Sequence, residues 1–276
     1  MHLQTDSTMS PVAQLPLSDR RRICAVLTDI DDTLTDGGQL HPLAFQALHQ
    51  LSDAGVIVIP VTGRPAGWCD LIARMWPVSA VVGENGAFYF SYDRARHRML
   101  RHYQLDSETR RHYHARLMAL KERIITAVPG AAISADQAYR ESDLAIDYCE
   151  DVPPLSTESV ATIARLFEES GATAKISSIH VNGWFGAYDK LTTSKALLRE
   201  RFGLELDDDE VRKRVAFVGD SPNDEPMFAY LPNAVGVANV RDFAGSMEAL
   251  PRWVTDQRGG AGFAEFARLL LESRGA

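Results

Sequence analysis

Cysteine is scarce in this chain, with three among 276 residues: Cys24, Cys69 and Cys149. An odd, widely spaced set builds neither a disulfide framework nor a zinc site. The expectation is a reduced, cytoplasmic protein whose cysteines are small apolar fillers. Long apolar runs are missing too. No stretch approaches the ~18 residues of a membrane span, and residues 1–19 lack the apolar run of a secretory signal. Positive charge is in deficit: 29 Lys and Arg stand against 37 Asp and Glu, a formal net charge of −8. That argues against DNA or another polyanion as bulk partner, because such affinity comes from many Lys and Arg phosphate contacts. Internal repeats and low-complexity tracts are absent. What is present is an ordinary globular composition, 45% apolar and 24% charged, which rules out wholesale disorder. At about 100–200 residues per domain, the length suits one large domain or two modest ones.

The hydrophobic pattern divides the chain. Ile23–Leu27, Val56–Val61 and Ala80–Val82 read as buried strands. Between them lie helical patterns, one opened by Pro42 and closed by Gly55, the next running from Pro65 to Met75. Strand, helix, strand, helix, strand predicts a parallel sheet with helices on its faces. From about Tyr89 to Trp184 the texture changes to α+β, with helices over Ser107–Val128 and Ser156–Glu169 and strands over Leu144–Tyr148 and Thr173–Ile176. The α/β pattern then resumes, with a helix over Leu191–Arg201, strands at Val215–Val218 and Ala234–Val237, and a closing helix over Gly262–Glu272. The expected fold is a Rossmann-like, doubly wound α/β core carrying an inserted α+β domain. Its expected boundaries are a loose tail at 1–20, a core of 21–87 and 186–276, and an insert of 88–185.

Four polar points fall at or just beyond the carboxyl ends of the core strands. They are Asp29-Ile30-Asp31-Asp32-Thr33, Thr62, Lys190, and Gly219-Asp220-Ser221-Pro222-Asn223-Asp224. In open α/β sheets, ligands bind outside the carboxyl ends of the strands. Convergence there would crowd Asp29, Asp31, Asp220 and Asp224, which is unfavourable unless a cation joins them. Carboxylates, a backbone carbonyl and waters suit Mg²⁺. Positioning plus charge neutralisation is what phosphoryl transfer chiefly needs.

Asp-x-Asp-x-Thr after one strand, Thr-Gly-Arg-Pro after the next, a Lys, then Gly-Asp-x-x-Asn-Asp resembles the haloacid dehalogenase superfamily of phosphatases. The likeness covers about residues 23–86 and 186–270. The place of the insert, and Glu84-Asn85-Gly86-Ala87 before it, resemble subfamily IIB, which includes Cof-type sugar phosphatases, sucrose-phosphate phosphatase and mannosyl-3-phosphoglycerate phosphatase. The resemblance implies Asp29 as a nucleophile forming an aspartyl-phosphate and Asp31 as general acid/base. It implies Mg²⁺ held by Asp29, the Asp31 carbonyl, Asp220 and Asp224, and Thr62 and Lys190 as the phosphate-holding pair. Asn223 would belong to the same loop network. Two departures stand out: Asp32 occupies a position often held by Gly, and the Lys lacks the frequent Lys-Gly-x-Ala setting. Lys190 is preferred because it precedes the predicted helix, whereas Lys195 would lie one turn inside it.

Bland readings stand beside the sharp ones. Asp220-Ser221 before Pro222 is a helix cap when read alone. The basic tract Arg94, Arg96, His97, Arg98, Arg101 and His102, with Arg110 to Arg116, is either a cationic wall or a solvated edge; the solvated edge is preferred. Alternation puts His180, Asn182 and Trp184 on one face, either lining a substrate pocket with Trp184 stacking on a sugar, or packing a hinge. Arg64 and Asn85 are candidate substrate contacts by resemblance. The expected function is hydrolysis of a small phosphorylated metabolite, a sugar phosphate or glycosyl-acid phosphate. Its rivals are a phosphomannomutase-like isomerase, a non-catalytic phospho-acceptor and a silent metabolite-binding protein. No sequence feature decides between monomer and dimer.

Overall fold

The structure is a computed structural model that describes residues 9–177 and 179–275. The chain begins β1 (Ser10–Pro11), α1 (Leu17–Arg22), β2 (Ala25–Thr28), β3 (Thr35–Asp36), β4 (Gln39–Leu40), α2 (Pro42–Asp53) and β5 (Ile57–Pro60). It continues α3 (Ala66–Met75), β6 (Val81–Gly83), β7 (Phe88–Asp93), β8 (Arg98–Tyr103), α4 (Ser107–Ala127), β9 (Ala132–Ile133), β10 (Asp143–Asp147), α5 (Thr157–Glu169), β11 (Thr173–Ile176) and β12 (His180–Trp184). It closes α6 (Lys190–Phe202), α7 (Asp209–Arg212), β13 (Val215–Gly219), α8 (Glu225–Tyr230), β14 (Asn233–Gly236), β15 (Trp253–Val254) and α9 (Gly259–Arg274). Contacts divide it into two compact units, residues 1–61, 77–80 and 194–276, and residues 62–76 and 81–193.

The first unit is built on a six-stranded sheet in the order β1-β15-β14-β13-β2-β5. Every pairing in it is parallel. β2 and β13 are buried along their whole length, as expected of central strands covered on both faces. The apolar face of α2, Ala44, Ala47, Leu48 and Leu51, packs with α9. The His41 ring caps α2 by accepting the Leu43 N–H at 3.1 Å. β5 lies on one side of β2 and β13 on the other. Strand order therefore reverses between β2 and β13, and the switch point lies at their carboxyl ends.

Two expectations are corrected here. Residues 9–20 are not a loose tail: β1 joins the sheet edge beside β15, and Val12 and Leu15 are buried. The remainder of that tail, residues 1–8, lies outside the described residues. The strand expected at Ala80–Val82 is β6. The stretch runs beside β5 in the parallel sense, with the Ser79 N–H on Val58 O at 2.8 Å and the Thr62 N–H on Val82 O at 2.9 Å, and β6 also forms an antiparallel ladder with β7. That ladder draws residues 81–87 into the second unit. Residues 62–76 and 186–193 also group there, so this division is wider than the 88–185 insert.

The second unit holds two antiparallel sheets, β6-β7-β8 and β11-β12-β10-β9. Asp106 caps α4 by accepting the Glu108 and Thr109 N–H groups, and Ser156 caps α5 through the Ser159 N–H. Leu117, Leu120 and Ile124 of α4 meet Leu144 and Ile146 of β10, Ile163 and Phe167 of α5, and Val181 of β12. This is a core of its own. Phe167→Ala should cost about 3–5 kcal/mol, the transfer and cavity terms for a buried ring, read as a lowered midpoint in urea unfolding. A loss under about 1 kcal/mol would show that the core closes over the gap.

Candidate active site

Three carboxylates meet at the switch point of the first unit. The Asp29 N–H donates to Val218 O at 2.8 Å, extending the β2–β13 ladder one residue past β2. Asp220 follows β13 directly. A turn closed by Asp224 N–H on Ser221 O at 3.0 Å sends the chain back, and Asp224 Oδ2 accepts the Asp220 N–H at 3.1 Å. Ligand oxygens of Asp29, Asp220 and Asp224 all lie within 4.8 Å of one another, at 4%, 1% and 0% exposure. Gly219 makes this approach possible, since a Cβ there would stand 2.3 Å from Asp224 Oδ2. Asp220 is oriented by Asn239, whose Nδ2 donates to its Oδ2 at 2.9 Å, and by the Thr33 hydroxyl at 3.4 Å.

The loop after Asp29 winds around one carbonyl. Ile30 O accepts from the Thr33, Leu34 and Thr35 N–H groups at 3.3, 2.8 and 3.1 Å. Asp32 takes φ +55°, a left-handed conformation that Gly adopts freely and Asp more readily than most. One constraint accounts for the common Gly and for the Asp found here. Asp31 is half-buried, unlike the triad beyond it.

The donor set fits a hard divalent cation. Oxygens on opposite sides of Mg²⁺, each at ~2.1 Å, stand about 4.2 Å apart, and the triad spans no more than 4.8 Å. Three like charges in one buried pocket are otherwise mutually unfavourable.

A second cluster forms within the second unit. Thr62 Oγ1 accepts the Arg64 N–H at 3.0 Å, and Thr62 O accepts the Asn85 N–H at 3.1 Å. Gly86 follows at φ +106°, and a Cβ on it would lie 2.1 Å from Asp189 O and 3.0 Å from Lys190 N. The Thr193 hydroxyl donates to Gly86 O at 2.6 Å, and Asp189 caps α6 by accepting the Thr192 N–H at 2.6 Å. Thr62, Asn85 and buried Lys190 are thus drawn to one backbone cluster. Lys195 belongs to the first unit, where its Nζ pairs with Asp207 at 2.5 Å.

Arg140 ties this cluster down. Its side chain is fully buried. It donates to both Asp136 oxygens at 2.8 and 3.0 Å, to Asp143 at 3.0 Å, and to Gly63 O at 2.9 Å. Glu84 accepts the Ala66 and Glu141 N–H groups at 2.9 Å and the Ser142 N–H at 2.5 Å. Burial, with the Asp143 carboxylate nearby, pushes the Glu84 carboxyl up to about 8.

His180, Asn182 and Trp184 do share one face of β12, opposite Asp147, Ala145 and Asp143 of β10. Asn182 donates to Asp143 at 3.1 Å, and His180 Nε2 lies 2.8 Å from Glu150. Trp184 does not offer a stacking face: it is 1% exposed, lies against the Tyr188 ring, and donates Nε1–H to Tyr188 O. That expectation gives way to packing. Asn223 is half-buried and bonded to Ser221 at 2.9 Å. Much of the basic tract is spent locally. Arg96 pairs with Asp93, Arg101 with Asp70 and Arg110 with Glu141, while Arg94 donates to the Arg74 and Trp76 carbonyls.

Sequence reasoning missed Asn239, Arg140, Asp143 and Glu150. Asn239 carried one usable signal, its place just beyond the carboxyl end of a core strand. Arg140 carried none, because no periodicity marks a lone buried guanidinium.

The chain belongs to the haloacid dehalogenase-like hydrolases, whose sequence pattern matches residues 26–159, and it is a phosphatase of that superfamily. A phosphoglycolate phosphatase of Methanothrix thermoacetophila is 31% identical over 248 residues, 87% of this chain and 94% of that one. Protein 0175 of Thermoplasma acidophilum shares the fold at TM-score 0.67 and 20% identity, over 90% of this chain and 99% of its own. So does the sucrose-phosphatase of Synechocystis sp. PCC6803, solved with sucrose and phosphate, at TM-score 0.61 and 14% identity over 91% and 98%. Among the described residues no helix is long and apolar enough to cross a membrane, and Cys24, Cys69 and Cys149 form no disulfide.

Two outcomes follow from this geometry. Gly219→Ala drives a methyl into the Asp224 carboxylate and should cost about 1–3 kcal/mol, as overpacking does, seen as a lower thermal midpoint. The Glu84 carboxyl is raised from 4.5 to about 8 by burial and Asp143, so the folded state holds a proton that the unfolded state releases. Its contribution is full below pH 4.5 and is lost as pH rises through about 8. Glu84→Gln should flatten that part of the stability–pH curve; an unchanged slope would refute the shift.

Proposed function

We propose that the protein is a Mg²⁺-dependent phosphomonoester hydrolase working through an aspartyl-phosphate at Asp29. The observation that carries this reading is the buried triad Asp29, Asp220 and Asp224 at the switch point of the parallel sheet. Asp29, Asp220 and Asp224, with the Asp31 carbonyl, would hold the ion, which when bound offsets the charge gathering on the phosphoryl oxygens. The Asp29 carboxylate attacks phosphorus in line and the bond to the leaving oxygen breaks. Asp31 gives its proton to that oxygen. It then takes a proton from the water that attacks the acyl phosphate, which frees inorganic phosphate and restores Asp29. Half-burial suits Asp31 to this exchange, because a general acid must reach both the leaving group and water. By the family resemblance, Thr62 and Lys190 are the pair that would hold the phosphoryl oxygens. The second unit, with Arg64, Asn85, His180 and Asn182, selects the leaving group.

The substrate is a small phosphorylated metabolite, in the first place a sugar phosphate or glycosyl-acid phosphate. A phosphorylated hydroxy acid is the second reading, favoured by the name of the Methanothrix relative, phosphoglycolate phosphatase. Phosphate release from a panel of phosphorylated metabolites with Mg²⁺ tests both. Asp29→Asn should lower release at least ~10³-fold, as loss of a nucleophile does, and EDTA should abolish native turnover reversibly. Undiminished release by Asp29→Asn would remove the proposed nucleophile.

A further inference from the structure

Glu150 is held in place by a local device. The Asp147 carboxylate accepts three consecutive backbone N–H groups, from Cys149 at 2.9 Å, Glu150 at 2.8 Å and Asp151 at 2.8 Å. That turn presents the Glu150 side chain to two basic groups. Oε1 accepts from Arg64 Nη2 at 2.9 Å, and Oε2 lies 2.8 Å from His180 Nε2. Arg64 also faces Asp136 at 3.6 Å and stacks 4.5 Å over the Trp68 ring. It stands two residues past Thr62 and is joined to it through its own N–H. The Arg64 and His180 side chains are 5% and 3% exposed, whereas that of Glu150 is 27% exposed. So the reachable group in this trio is the carboxylate.

Its charge is permanent at working pH, because His180 and Arg64 hold the carboxyl down to about 2. Arg64 meanwhile faces two carboxylates, Glu150 and Asp136. A substrate carboxylate coming to Arg64 must displace Glu150 from two partners or sit beside a like charge. A hydroxyl faces neither penalty. An ionised carboxylate has about four lone-pair sites, so Glu150 still has acceptor capacity for sugar-type O–H donors.

We propose that Glu150, set between Arg64 and His180, determines the leaving-group class and selects hydroxyl-bearing sugar phosphates against phosphates that carry a carboxylate. This rests on the hydrolase reading above and narrows its two substrate classes to one.

The test is the ratio of kcat/KM for glucose 6-phosphate to that for phosphoglycolate with Mg²⁺, each pair measured on one preparation so that the fraction of folded enzyme cancels. The native protein should favour the sugar phosphate. In Glu150→Gln the ratio should fall at least tenfold, mainly through KM. A ratio within twofold of native would overturn the assignment. So would a native protein that prefers phosphoglycolate, a result that needs no variant and leaves the hydrolase reading standing. Release from no phosphate ester, p-nitrophenyl phosphate included, would overturn the hydrolase reading and the assignment with it.

Discussion

Three carboxylates buried within 4.8 Å of one another repel, and the first unit is arranged around holding them there. Like charges held this close need support, and backbone and side chains both supply it. The β2–β13 ladder extends to Asp29 and brings it beside the residue that follows β13. A glycine where no methyl fits lets Asp224 fold back onto the Asp220 N–H. Asn239 braces Asp220 and also holds the Asp32 carbonyl at 2.9 Å. Each device makes sense as support for a site that gathers negative charge and then uses it with a hard cation.

The second unit solves a different problem with opposite charges. Arg140 and Arg64 are each shared between carboxylates, and both are almost wholly buried. A buried pair is weak evidence for added stability, since desolvation offsets much of the attraction. What this network supplies is position. Arg140 holds the Gly63 carbonyl, Glu84 holds the first turn of α3, and Gly86 lets Asp189 and Lys190 approach. Thr62 and the start of α6 are therefore placed by groups distant in sequence.

Much of this was legible beforehand, for a definite reason. Parallel strands covered on both faces must be apolar throughout, so β2, β5, β13 and β14 show as short apolar runs ending in polar residues. Helices such as α2 and α5 declare themselves by period and cap. Other features left no trace. Ala80–Val82 reads as one more parallel strand, and the antiparallel ladder that β6 also makes with β7 is not written in an apolar run of three. Trp184 reads equally as a sugar platform or as packing, because alternation gives a face but not what covers it, and Tyr188 covers it.

The amino-acid sequence by itself determined the class of fold, the order of the elements and the acidic residues at the ends of β2 and β13, because periodicity and motif spacing are local. Only the tertiary structure decided which of those carboxylates meet, that Lys195 is engaged by Asp207 while Lys190 starts α6 beside Gly86, and that Glu150 stands between Arg64 and His180. Those outcomes depend on through-space distance between residues up to about 195 positions apart in the chain, as for Asp29 and Asp224. Charge and packing set that distance once the backbone has closed, and no local pattern carries it.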